Sequence, residues 1–171
     1  RKVYYHVLLD ISDSVSSEQL EDMKASIIDL KEHMGDTDKM EVITFADQVK
    51  IILEGDESID QVKKVLNKVK KGKKTHLYEG INALSDSVAR EKERAIKDGL
   101  AEDEIMRNVG VILTDWQEVK KAGGQTSREE ALKKLQKTRT PLFGYCLTTA
   151  KVSLQDDMGV FLRETGGKFN T

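Results

Sequence analysis

The sequence predicts one α/β domain. It is a Rossmann-like three-layer sandwich, with a central, mostly parallel sheet, one antiparallel edge strand and helices on both faces. Three observations predict this. Short runs rich in Val, Ile and Leu alternate with amphipathic segments of helical period, as in chains that cross and recross a parallel sheet. The runs are nearly continuous in apolar residues, so the strands are covered on both faces. One pair of runs is separated only by Ala46 and Asp47, too few residues for a parallel return, so that pair forms a hairpin at a sheet edge.

The elements follow in order. Val3–Asp10 reads as a strand ending in the apolar run Val7, Leu8, Leu9. Ser16 and Gln19 have the spacing of a capping box. Leu20, Met23, Ile27, Leu30 and Met34 follow at helical spacing, and Gly35 offers a C-terminal stop. Lys39–Phe45 and residues 48–53 are the hairpin strands. Ile59, Val62, Leu66 and Val69 mark a second helix. Leu77, Ile81, Leu84 and Val88 mark a third, extended as a charged surface through Arg94. Residues 101–104 are an acidic loop or helix tip. A strand is expected over 108–114. Ser127 and Glu130 then cap a helix carrying Ala131, Leu132 and Leu135. Another strand is expected over 141–147, and a last helix over 157–165, stopped by Gly166 and Gly167.

Composition narrows the function. A chain of 171 residues, 38 % hydrophobic and 34 % charged, is one domain with a real core and a charged surface. A net charge of −2 lacks the basic excess of a nucleic-acid binder. No apolar run is long enough to span a membrane. The single cysteine, Cys146, reads as a small buried hydrophobe and permits no intramolecular disulfide. The chain starts on Arg1 without an initiator Met or signal pattern and stops at a strand start. Residues 1–171 are therefore expected to be a domain excised from a longer protein.

The strongest local signal lies where the first strand ends. Asp10, Ser12 and Ser14 place one carboxylate and two hydroxyls on one turn. The carboxyl ends of parallel strands are where α/β sheets bind ligands, and such oxygens suit a hard cation. The competing reading is a strand exit with helix-capping residues, which favour the same side chains.

Two later segments add to the pattern. Thr75 stands in a stretch running from Gly72 through Leu77, Tyr78 and Gly80 to Ile81, and Asp115 follows Ile112, Leu113 and Thr114. With Asp10-x-Ser12-x-Ser14, these residues resemble the metal-ion-dependent adhesion site of von Willebrand factor type A domains. The resemblance implies Mg²⁺, with Mn²⁺ or Ca²⁺ as alternatives. It implies that Ser12, Ser14 and Thr75 ligate the ion, and that Asp10 and Asp115 ligate it or orient its waters. A dication held by few carboxylates attracts an external anion, so the implied partner is a protein presenting Asp or Glu. The implied setting is extracellular or at the cell surface. The alternative is a cytoplasmic recruitment module working with an AAA+ ATPase or chelatase. Asp13, His76 and Trp116 flank the site and are candidates for its ligand rim. Asp13 and Trp116 replace glycines common in the family, and Lys73 and Lys74 replace small residues.

Enzyme patterns fit less well. A phosphatase using Asp10 as nucleophile would want an acid at Ser12. A Mg²⁺-dependent phosphohydrolase is the weakest of the three readings. Neither serine lies in a Gly-x-Ser-x-Gly elbow, and no dinucleotide or P-loop glycine pattern occurs. His6 lies within the first strand and reads as structural or solvated. His33 reads as structural or solvated. His76 faces outward, because Mg²⁺ prefers oxygen to imidazole.

Overall fold

The computed structural model describes residues 2–115, 126–146 and 169–170. A six-stranded sheet has the order β3-β2-β1-β4-β5-β6. The strands are β1 (Val3–Asp10), β2 (Lys39–Phe45), β3 (Val49–Leu53), β4 (Arg107–Thr114), β5 (Leu142–Cys146) and β6 (Phe169–Asn170). Among the described residues only β2 and β3 pair antiparallel, at the edge, as the short hairpin required. The helices are α1 (Ser17–His33), α2 (Ile59–Asn67), α3 (Leu77–Lys97) and α4 (Arg128–Thr138). Residues 102–104 form one 3₁₀ turn. The expected last helix, residue 147 and Trp116 lie outside the described residues.

Local chemistry fixes the helix starts. Ser16 accepts from the Gln19 backbone while the Gln19 side chain accepts from Ser16, and Ser58 and Gln61 repeat the device at α2. Ser127 accepts from the Glu130 backbone at α4. Helix α1 ends just before Gly35, where the stop was expected. No left-handed residue closes it; Met34 turns extended at φ −70° and ψ 149°. Asp38 explains this, since its carboxylate accepts from Gly35 N (3.0 Å) and from Val3 N (2.9 Å). The stop thus ties the helix exit to β1.

The sheet alternation produces two cores. Leu8, Ile43, Phe45 and Ile112 face Leu77, Ile81, Leu84 and Leu135 of α3 and α4. Val7, Leu9, Val42 and Leu113 face Leu20, Met23, Ile27, Val62 and Leu66 of α1 and α2. Each fully buried aliphatic side chain contributes roughly 1.5–3 kcal/mol. The sheet is clamped between these layers, and β1 lies at its centre. From β1 the chain moves outward to β2 and β3, then returns to place β4 on the other side of β1. The strand order reverses between β1 and β4, so their carboxyl ends flank the crevice where such sheets bind ligands.

Candidate metal centre

Asp10 is the last residue of β1 and is only 1 % exposed. Its Oδ1 accepts from Ser12 N at 2.9 Å and from Ser12 Oγ at 2.5 Å. Its Oδ2 accepts from Thr114 Oγ1 at 2.6 Å. Three donors therefore satisfy one buried carboxylate, as burial demands. Ser12 and Ser14 are in contact, Oγ to Oγ, at 3.1 Å. Ser12 commits its proton to Asp10, so its lone pairs remain for an acceptor role. Ser12 is buried and Ser14 exposed, so the pair leads from the sheet end to solvent.

The second strand end contributes Thr114 and Asp115. Leu9 is level with Leu113 in the β1–β4 register, which brings Thr114 beside Asp10. Asp115 is 1 % exposed at the same mouth. The loop before α3 carries Thr75. Gly72 N donates to Ile11 O at 2.7 Å, and His76 N donates to Ala46 O at 3.1 Å. Lys73 N and Lys74 N both donate to Asp47 Oδ1, at 3.2 and 2.6 Å. The first bond seats the loop against the turn bearing Ser12, and the other three tie it to the β2–β3 hairpin turn at Ala46 and Asp47. Gly72 is required there, because a Cβ would lie 2.6 Å from Ala46 Cβ. Thr75 itself is half-buried, and among the described residues no hydrogen bond joins it to Asp10, Ser12 or Ser14. Asp13 is exposed, and His76 is half-buried at the start of α3, making no side-chain cap bond. His6 and His33 lie elsewhere. His6 is fully buried between Glu41 and Asn108, each at 2.8 Å, and His33 is exposed against the Asp29 carbonyl.

Burial pushes Asp10 up to about 6, against the bonds from Ser12 and Thr114, which favour its charged form; the charge of Asp115 adds to the rise. Two carboxylates buried side by side repel each other, and a cation between them would relieve that repulsion. The donors suit a hard ion. Among the described residues no group of three or more His, Cys, Asp and Glu side chains is placed to hold a metal. A set built on hydroxyls and two carboxylates falls outside such a grouping and offers only oxygen, the preference of Mg²⁺, Mn²⁺ and Ca²⁺.

Two participants escaped the sequence reading. Thr114 was visible only as the residue before Asp115; its bond to Asp10 depends on strand register. Gly72 was visible only as a glycine before a threonine; its contact with Ala46 depends on the β2–β3 hairpin.

Residues 6–164 match the family profile of the von Willebrand factor type A domain. The chain belongs to that family. No curated protein matches this type A domain. Solved structures share its fold. An aerotolerance-related membrane protein from Bacteroides fragilis, with multiple mutations to serines, is 16 % identical, with 98 % of this chain and 90 % of that one covered and a TM-score of 0.69. A von Willebrand factor type A protein from Catenulispora acidiphila is 9 % identical, covering 99 % of this type A domain and 38 % of its own chain, at 0.75. Proximal thread matrix protein 1 from the mussel byssus, with a zinc-occupied MIDAS motif, is 19 % identical, covering 95 % and 38 %, at 0.61. At these identities the likeness concerns the fold.

Proposed function

We propose that this type A domain is a cation-dependent protein-binding module. Ser12, Ser14 and Thr75 supply hydroxyl ligands, and Asp10 and Asp115 supply charge directly or through water. The bound dication, Mg²⁺ by preference, supplies a Lewis-acidic position that an Asp or Glu of the partner completes. Asp10 aims the Ser12 hydroxyl, Thr114 fixes Asp10, and the loop bonds through Gly72 and Lys74 hold Thr75 in place. Asp13, His76 and Trp116 belong to the rim the partner meets. Adhesion at a cell surface or in an extracellular matrix is the proposed setting, and the byssus neighbour with its occupied motif supports it. Among the described residues no helix is long and apolar enough to cross a membrane. The role is proposed as binding without catalysis.

One observation carries this reading. Ser12 gives its proton to a buried carboxylate at the switch point of the sheet, with Ser14 Oγ only 3.1 Å away. Calorimetric titration with Mg²⁺ tests it. Ser12→Ala is expected to weaken the cation by about tenfold or more, in the range that loss of metal-site support costs. Equal affinity in Ser12→Ala and parent overturns the ligand assignment.

A further inference from the structure

We propose that the lysine-rich stretch running from α2 to the start of α3 forms a second part of the partner interface and selects an acidic protein segment. This inference rests on the metal-dependent reading above and names the partner's chemistry.

Seven lysines (Lys63, Lys64, Lys68, Lys70, Lys71, Lys73 and Lys74) fall within twelve residues that contain no acid. The chain as a whole has 28 basic and 30 acidic residues, so this is a local concentration of charge against a near-neutral background. It is fastened to the candidate metal turn at two points. Lys71 Nζ donates to Val15 O at 2.8 Å, and Gly72 N donates to Ile11 O at 2.7 Å. Ile11 and Val15 bracket Ser12 and Ser14. Lys73 and Lys74 immediately precede Thr75, with their backbones held by Asp47.

The charges stay available. Of these seven lysines only Lys63 pairs with an acid among the described residues, with Glu32 at a loose 3.9 Å. Lys64, Lys68, Lys70, Lys73 and Lys74 are exposed and form no ion pair there. The nearby acids are few. Asp13 is exposed, Asp47 is engaged by two backbone N–H groups, and Glu21 pairs with Lys24. A plain solvated helix face would mix signs, as α1 does. Here one sign runs along the side of the site that leads to Thr75, and that site is proposed to need an anion. Lysines within about one Debye length, roughly 10 Å at 0.1 M salt, steer carboxylates toward it and raise the association rate. The same lysines repel a free cation, so they set two ligands against each other.

That opposition gives the test. The probe is a synthetic peptide of about a dozen residues with a central Asp flanked by Glu; its control has Gln in place of each Glu. The variant is Lys64→Gln/Lys68→Gln/Lys70→Gln, three exposed lysines that take no part in seating Thr75. Association of the acidic peptide with the parent in Mg²⁺ should slow by about tenfold in the variant, and by a similar factor at about 0.5 M salt. Free Mg²⁺ should bind the variant as tightly as the parent or more tightly, which excludes misfolding. The Gln-flanked control should respond to neither change. Mg²⁺-dependent capture of the acidic peptide that ignores both the variant and salt overturns the lysine surface and keeps the metal site. Lysine-dependent capture that survives chelation of Mg²⁺ supports the lysine surface and overturns the metal reading on which its role was based.

Discussion

At the scale of single residues, Thr114 and Asp10 are the pair to probe. Thr114→Val keeps the shape and removes the donor to Asp10 Oδ2. A hydrogen bond to a charged group contributes about 1.5–3 kcal/mol, so chemical denaturation should show a loss of that order in the ionised protein. Unchanged stability would mean that Asp10 does not depend on Thr114. Asp10 also sets a pH dependence. Its folded value of about 6 lies above its ordinary 3.8. The stabilising contribution is therefore full below the ordinary value and is lost as pH rises through about 6. Protons and cation compete for the same oxygens, so Mg²⁺ should raise the melting temperature more at about pH 7.5 than at about pH 5. Asp10→Asn should abolish that difference; an identical Mg²⁺ effect at both pH values would contradict the assignment. The sequence made Asp10, Ser12 and Ser14 legible because they share one turn. Thr114 was not legible as a partner because its contact spans 104 residues.

At the scale of elements, short-range chemistry was readable and contact-dependent detail was not. The Ser16 capping box could be read because both partners lie within three residues of each other. The α1 stop falls just before Gly35, as the sequence indicated, but the Asp38 carboxylate that bonds Gly35 and Val3 there was not legible, because Val3 lies 35 residues away. The loop before α3 gives the prediction at this scale. Gly72→Ala puts a methyl 2.6 Å from Ala46 Cβ and must shift the loop. Overpacking of this kind costs about 1–3 kcal/mol. Because Thr75 rides on that loop, Mg²⁺ affinity should fall along with stability. If stability falls and Mg²⁺ affinity does not, Thr75 is not a ligand.

At the scale of the whole molecule, the sheet separates what holds the domain together from what it binds. The class, the parallel strands and the antiparallel edge followed from apolar runs and one short hairpin. The strand order and the partners of His6 did not follow, because no local signal encodes which strands become neighbours. His6 joins β1 to β2 through Glu41 and to β4 through Asn108, and Glu41 also accepts from Ser87 of α3 at 3.0 Å. Glu41→Ala strips His6 and Ser87, two buried groups, of their partner and should cost about 1–3 kcal/mol for each. Four residue steps along the extended strand, roughly 13 Å, separate His6 from Asp10, so Mg²⁺ affinity should hold where the variant is folded. A loss of cation affinity without a loss of stability would show that the network serves the site.

The most direct test is a crystal of the domain grown with Mn²⁺, read by anomalous scattering. The account predicts one peak within coordination distance of Ser12 Oγ, Ser14 Oγ and Thr75 Oγ1, with Asp10 and Asp115 beside it. A peak elsewhere, or those three hydroxyls too far apart to share one ion, would contradict it.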